Sequence, residues 1–417
     1  MTEMEWHRDY SSSWLQQLDS APESVGINLS AVRCYRLNQV RKEMIKRDIC
    51  ALILSDPVNI RYATGARNMQ VFSARNTPSR YLLLTENNSI LYEFTGCLHL
   101  GEGFETIDEV RPAKTASFVA AGPDIFAREK AWAEEMVATI SNLTGSPLKV
   151  GIERMNAGVA LAMAELGVKV VDAQEPVEMA RCIKSEDEIK CVVASLRATE
   201  FAVGRLYESI RPGITENELW SVLHQAVIAL GGDYVETRLL NSGERTNPWF
   251  QEAASKVIGA NELVGLDTDV VGCHGYYSDF SRTFHSGPDS PSESQRDLYK
   301  TAYEQIQNNI NILRPGMSFR EYADKAWNIP DKYLANRYYL SAHGVGMTGE
   351  YPYLYHWADF PEAGYDGVIK PNMTLCVESY IGLENGLEGV KLEEQLLVTE
   401  NGVELLSQYP YEENLLR

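Results

Sequence analysis

The residues of this sequence best suited to chemistry are carboxylates in places where carboxylates rarely go. Leu266-Asp-Thr-Asp-Val-Val-Gly-Cys-His-Gly-Tyr-Tyr-Ser-Asp279-Phe-Ser-Arg-Thr-Phe284 sets three of them in an apolar, aromatic frame with strand character. Asp267 and Asp269 are two apart, so an unbroken strand points both to one side. Asp279 returns on a paired strand after the Gly272–Gly275 turn. One such acid reads as part of a solvated hairpin, but three in this frame point to metal, because acids enter an interior only when paired or coordinated. Further on come His343, in Ser341-Ala-His-Gly-Val-Gly-Met-Thr-Gly-Glu350-Tyr-Pro352, Glu378, in Leu375-Cys-Val-Glu-Ser-Tyr380, and Glu393, in Gly389-Val-Lys-Leu-Glu-Glu-Gln395. Each alone reads as structural. Together, two or three Asp, one His and two Glu suit a pair of hard or borderline divalent ions (Mn, Fe, Co or Zn) with bridging carboxylates.

The elements that must position these side chains are legible in outline. Residues 31–47 read as an amphipathic helix and residues 127–143 as another. Short apolar runs at 50–55, 80–84, 89–94, 148–153 and 168–171 read as strands, so an α/β unit ends near residue 175. Ser185-Glu-Asp-Glu188 and Thr215-Glu-Asn-Glu218 are capping boxes that open two helices. The first helix keeps near-helical apolar spacing from Ile189 to Ile210 and stops at Arg211-Pro-Gly213. Ile210-Arg-Pro-Gly-Ile-Thr215 is echoed by Leu313-Arg-Pro-Gly-Met-Ser318, which suggests a duplicated half-domain.

Composition narrows the function class. The 417 residues predict two or three domains, and 44% hydrophobic with 23% charged is ordinary globular composition. The net charge of −20, with no basic face, argues against nucleic acid as a partner. No apolar run approaches the ~20 residues of a membrane span. Seven scattered cysteines without a C-x-x-C, and an N-terminus without an apolar leader segment, are expected of a cytoplasmic protein. The polar first thirty residues read as an arm that rests on a partner subunit.

The order Asp, Asp, His, Glu, Glu, with SDFSRTF, HGVG and GVKLEEQLLVTENG, resembles the pita-bread metalloenzymes: methionine aminopeptidase, Xaa-Pro aminopeptidase, prolidase and creatinase. The resemblance covers the whole chain and implies an α+β fold. A creatinase-like N-terminal α/β domain with its arm occupies 1–176, and a pita-bread domain of two related α+β halves occupies 177–417. It implies metal ligands Asp269, Asp279, His343, Glu378 and Glu393, with Asp267 a competitor or an added ligand. The Asp269-to-Asp279 gap is one residue shorter than the family's.

Two departures bear on activity. The peptidases place a histidine after Pro248, where this chain has Trp249, and another seven residues after the ligand histidine, where it has Glu350. Asn68-Met-Gln-Val, Gly96-Cys-Leu-His-Leu, Glu236-Thr-Arg-Leu-Leu, Arg245-Thr-Asn-Pro-Trp-Phe-Gln-Glu252 and Glu350-Tyr-Pro are similar instead to the DddP-type dimethylsulfoniopropionate lyases. That branch is iron-dependent and dimeric, and eliminates dimethyl sulfide from a small zwitterion to leave acrylate. It carries an acid as base immediately before Glu-Tyr-Pro, where this chain has Gly349, so Glu350 is expected to serve as base with Tyr338 assisting. Trp249, Phe250, Tyr351 and Tyr380 are expected to face the sulfonium through cation–π attraction. An Xaa-Pro metallohydrolase is the competing reading, and a non-enzymatic binding module the third. A homodimer is expected, with the Asn68–Tyr81 segment closing the partner's site.

Overall fold

The computed structural model describes residues 26–67, 79–145 and 148–417. The chain divides into two units, residues 28–181 and 182–417. In the first, the Asn28 side chain accepts from the Ala31 N–H and starts α1 (Leu29–Lys46). The apolar run of β1 (Ala51–Leu54) is wholly buried, and Asp56 caps α2 (Pro57–Thr64), with proline in the first turn where its missing donor costs nothing. There follow β2 (Tyr81–Thr85), β3 (Ser89–Glu93), β4 (Glu109–Pro112), α3 (Ile125–Thr144), β5 (Lys149–Ile152), α4 (Ala157–Glu165), β6 (Lys169–Asp172) and α5 (Gln174–Arg181).

The six strands make one sheet in the order β4-β3-β2-β1-β5-β6. Pairing is antiparallel at β1–β2 and β2–β3 and parallel elsewhere. Trp132, Met136 and Ile140 of α3 share a core with Ile53, Leu83 and Val150 of the strands. The expected boundary at 176/177 falls inside α5, whose buried Val177 and Ala180 keep it with the first unit. Residues 1–25 of the expected arm, and residues 68–78 of the segment assigned to the partner's site, lie outside the described residues.

The second unit contains the duplication. Reciprocal capping boxes at Ser185/Glu188, Thr215/Glu218 and Ser292/Gln295 open α6 (Glu186–Ser209), α7 (Glu216–Ala229) and α8 (Glu293–Ile312), and Ser318 caps α9 (Phe319–Lys325). The two Arg-Pro-Gly turns are held alike. Gly213 N–H donates to the Ile258 carbonyl, Ile258 N–H to that of Ile214, and Glu216 N–H to that of Lys256. In the second half the same three bonds join Gly316 to Ile369, Ile369 to Met317, and Phe319 to Gly367. An isolated antiparallel bridge follows each turn, Thr215 with Val257 and Ser318 with Val368.

Three sheets carry the candidate site. One joins β7 (Tyr234–Val235), β10 (Val270–Val271) and β11 (Tyr277–Ser278), and a second joins β8 (Leu240–Ser242), β9 (Leu263–Asp267) and β12 (Ser281–His285). The third runs β14 (Gly349–Tyr355), β13 (Leu340–Val345), β15 (Thr374–Gly382), β16 (Gly389–Val398), β17 (Val403–Leu405). Every residue of β15 is buried, as are nine of ten in β16, so their acids sit in the interior.

Candidate metal centre

Two local geometries bring the ligand-type residues together. In the antiparallel β15–β16 pair Glu378 stands directly opposite Glu393, and His343 on β13 stands opposite Cys376 on β15. Opposed residues share a face, and positions two apart share it too, so Cys376, Glu378, Glu393 and Lys391 project to one side. The aspartates arrive differently. The strand expected to carry Asp267 and Asp269 breaks between them: Asp267 ends β9, and Asp269 has a left-handed φ of +41° before β10 begins. An Asp tolerates that conformation better than most residues. Asp279 likewise occupies the step between β11 and β12. The three carboxylates still converge, through two matching breaks rather than strand alternation, with ligand atoms within 4.8 Å of one another.

Partners fix most of these oxygens. Asp267 accepts from Ser281 Oγ at 2.7 Å and faces Lys391 Nζ at 3.3 Å. Asp269 accepts from Tyr277 OH at 3.0 Å and from Thr237 Oγ1. Lys391 Nζ also lies 3.0 Å from Glu378 Oε2 and 2.7 Å from Glu393 Oε2. Gln395 Oε1 accepts from the Asp279 backbone N–H at 3.0 Å and holds that step in place. Among the described residues three buried carboxylate oxygens accept no hydrogen bond: Asp279 Oδ1, Glu378 Oε1 and Glu393 Oε1. His343 Nε2 is 3.5 Å from Asp279 Oδ2, 3.7 Å from Glu378 Oε1 and 3.3 Å from Glu393 Oε1. Donors bound at roughly 2.0–2.2 Å to one tetrahedral ion stand about 3.3–3.6 Å apart. Orphaned acceptors, donor chemistry and spacing therefore all fit a divalent metal.

The charge balance agrees. Burial is the largest influence on each carboxylate. It pushes Asp269, which also faces Asp267, up to about 8, and Glu378 up to about 7 against the pull of Lys391. Asp279 is driven well above the carboxylate range by burial and by the Glu393 and Asp269 charges. For Glu393 burial is outweighed by the Lys391 and His343 cations, which hold it below its ordinary value. Burial disfavours the His343 imidazolium, but Glu393 and Glu378 overcome it and raise the ring to about 9. Even with Lys391 present, the acids of this face cannot all ionise, a deficit of positive charge that metal ions remove.

A cleft of about 260 Å³ opens onto the centre, lined by Glu236, Asp269, Asp279, Tyr338, His343, Gly349 and Tyr353 among others. Trp249, buried, packs against Tyr380 with ring centroids 5.9 Å apart, and Phe250 meets Tyr338 edge-on at 5.4 Å. Lys391 Nζ stands 5.7 Å from the Trp249 ring and 5.7 Å from that of Tyr338. Lys391 thus links this aromatic cluster to the carboxylate face; of the cluster Tyr338 lines the cleft, and Trp249, Phe250 and Tyr380 are not among its lining residues.

Two expected site residues are elsewhere. Glu350 does not face the cleft: its carboxylate is ion-paired with Lys184, both side chains at most 2% exposed. A bulge in the β13–β14 register between His343 and Gly344 pairs Glu350 with Gly344 and puts Gly349 and Tyr353 on the cleft instead. Tyr351 stacks on Tyr365 and packs near Phe319, away from the centre. Conversely Lys391, Gln395 and Ser281, and Glu236 beyond its place in a quoted motif, are not expected as site residues from sequence. Lys391 and Gln395 flank Glu393 at two-residue spacing on a buried strand, a pattern that periodicity alone could have flagged.

Known proteins resemble the chain over both units. Residues 190–400 match the model of metallopeptidase family M24, and residues 36–183 that of the creatinase/prolidase N-terminal domain. The chain is 30% identical to a dimethylsulfoniopropionate lyase DddP of Roseovarius nubinhibens, over 93% of this chain and 88% of the relative. It is 31% identical, with the same coverage, to one of Roseobacter denitrificans. In structure it resembles an Xaa-Pro dipeptidase from Bacillus anthracis, at a TM-score of 0.72 and 21% identity over 91% of this chain and 99% of that one. With its duplicated halves, its creatinase-like front unit and a buried carboxylate–histidine face fit for metal, the chain belongs to metallopeptidase family M24.

Proposed function

We propose that this protein is a metal-dependent carbon–sulfur lyase that cleaves a small onium carboxylate, dimethylsulfoniopropionate first among them, to dimethyl sulfide and acrylate. Asp267, Asp269, Asp279, His343, Glu378 and Glu393 hold two divalent ions, iron favoured. One observation carries the reading. Where the related peptidases handle protons with histidines, this chain has Trp249, packed into an aromatic wall, and Glu350, locked onto Lys184. The likeness to two lyases over 93% of the chain supports it.

Metal ions at this centre supply Lewis acidity toward the substrate carboxylate. The chain's own groups do the rest. Trp249, Phe250, Tyr338 and Tyr380 form a wall that favours a cation, worth ~0.5–2 kcal/mol depending on desolvation. Glu236, which lines the cleft without belonging to the ligand set, replaces Glu350 as the base. It takes the proton next to the carboxylate; that electron pair becomes the carbon–carbon double bond, and the carbon–sulfur pair leaves with dimethyl sulfide. Tyr338 donates a hydrogen bond to the substrate.

The test is a substrate panel with added Fe, Mn, Co and Zn, scored for dimethyl sulfide release and for Xaa-Pro dipeptide cleavage. Glu236→Gln should cost ~10²–10⁴-fold in turnover, the usual worth of a general base, with metal content unchanged. Gly349→Asp should raise release, since a Cβ at 349 meets nothing within 4 Å and the position faces the cleft. Dipeptide cleavage without any dimethyl sulfide from either protein would establish the hydrolase instead. The active form is proposed to be a homodimer; a monomer in light scattering at micromolar concentration would contradict that.

A further inference from the structure

The metal face contains one donor that the carboxylate–histidine set does not include. Cys376 is fully buried on β15, two residues before Glu378 and directly opposite His343 on β13. Its Sγ lies with ligand atoms of Asp279, His343 and Glu393 in a group whose members are all within 4.8 Å of one another. The thiol's hydrogen bond goes to the Asp279 backbone carbonyl, at 3.5 Å. A buried cysteine is ordinarily a small apolar side chain, and Cys376 does touch Val271, Tyr277 and Val345. What sets it apart is the company on its polar side. The orphaned Asp279 Oδ1, Glu378 Oε1 and Glu393 Oε1 belong to residues at least 96% buried, and they border the same space.

We infer that Cys376 is a sulfur ligand, or a sulfur donor recruited on loading, of the ion held by Asp279, His343 and Glu393. A tetrahedral ion with bonds of ~2.0–2.3 Å sets its donors about 3.3–3.8 Å apart. The sulfur, within 4.8 Å of the other three donors, reaches that shell by leaving the Asp279 carbonyl and moving inward. On binding, the metal–sulfur bond takes the place of the S–H bond and the proton leaves to solvent. Thiolate biases a centre toward Zn and Fe and away from Mn, which needs only oxygen donors.

The inference rests on the centre binding metal, and the experiment separates the two. The full chain is stripped, loaded with Co(II), and read for bound cobalt and for a near-ultraviolet sulfur-to-cobalt band. The band is expected in the wild type and in Cys34→Ser, which removes an exposed thiol, and is expected to disappear in Cys376→Ser with cobalt still bound. X-ray absorption on the Zn(II)-loaded wild type should show one sulfur at ~2.3 Å, a reading that needs no variant. Cobalt uptake with no band and no sulfur shell, or a band unchanged in Cys376→Ser, overturns the sulfur ligand alone. No cobalt uptake overturns it together with the metal reading.

Discussion

At the scale of single residues, burial decides what an acid can do. Glu350 sits on the strand bordering the cleft, yet Lys184 holds it. Glu350→Gln leaves the Lys184 ammonium buried without a counter-charge, and breaking a buried pair this way costs ~3–5 kcal/mol. We expect a large drop in the urea midpoint while the folded fraction keeps its turnover; unaltered stability with abolished turnover would restore Glu350 as the base. His356 gives a pH dependence. Burial lowers it from 6.5 to about 4. The folded state binds this proton more weakly than the unfolded chain, so its contribution is complete above pH 6.5 and is lost as pH falls toward 4. Its full size is roughly 3 kcal/mol. His356→Gln should flatten the urea midpoint between pH 7 and 4 relative to the wild type.

At the scale of elements, the duplicated turns set a paired expectation. Gly213 and Gly316 have φ of +96° and +86°, and a Cβ at either would meet nothing within 4 Å. Alanine there suffers only the left-handed backbone penalty, about 1–2 kcal/mol. Gly213→Ala and Gly316→Ala should therefore lower stability by similar amounts in chemical denaturation. A much larger loss at one would mean that the two halves are not held alike. The strand breaks at Asp269 and Asp279 are elements in the same sense. Gln395 and Thr237 hold them from neighbouring segments, so the aspartates depend on side chains far away in sequence.

At the scale of the molecule, the metal face belongs to one unit and the Trp132-centred core to the other. A ligand stabilises the body that binds it by RT ln(1 + [L]/Kd), about 2.7 kcal/mol at a hundredfold excess over Kd. Chelation should lower the calorimetric transition of residues 182–417 and leave that of residues 28–181 in place, with the shift reversed on adding metal back. A uniform shift of both would show that the units unfold together. No helix among the described residues is long and apolar enough to cross a membrane.

Much of this was local and therefore legible in the sequence. Capping boxes at Ser185 and Thr215, the Arg-Pro-Gly echo and the apolar strand runs report interactions within a few residues, and each stands in the structure as an element or its boundary. The five ligand-type acids and the histidine could be named because charge inside apolar strands is anomalous wherever it occurs. Sequence could not say where a strand breaks. The step between Asp267 and Asp269 depends on Thr237 and Tyr277, and the step at Asp279 on Gln395, which arrive from elsewhere in the chain. Nor could it tell which face of β14 meets the cleft, since one bulge against β13 sends Glu350 to Lys184 and leaves Gly349 and Tyr353 on the cleft. Lys391 reads as an unremarkable strand lysine until three carboxylates surround it. Identity is written residue by residue, but the field each residue feels is assembled by contacts that only the tertiary fold makes.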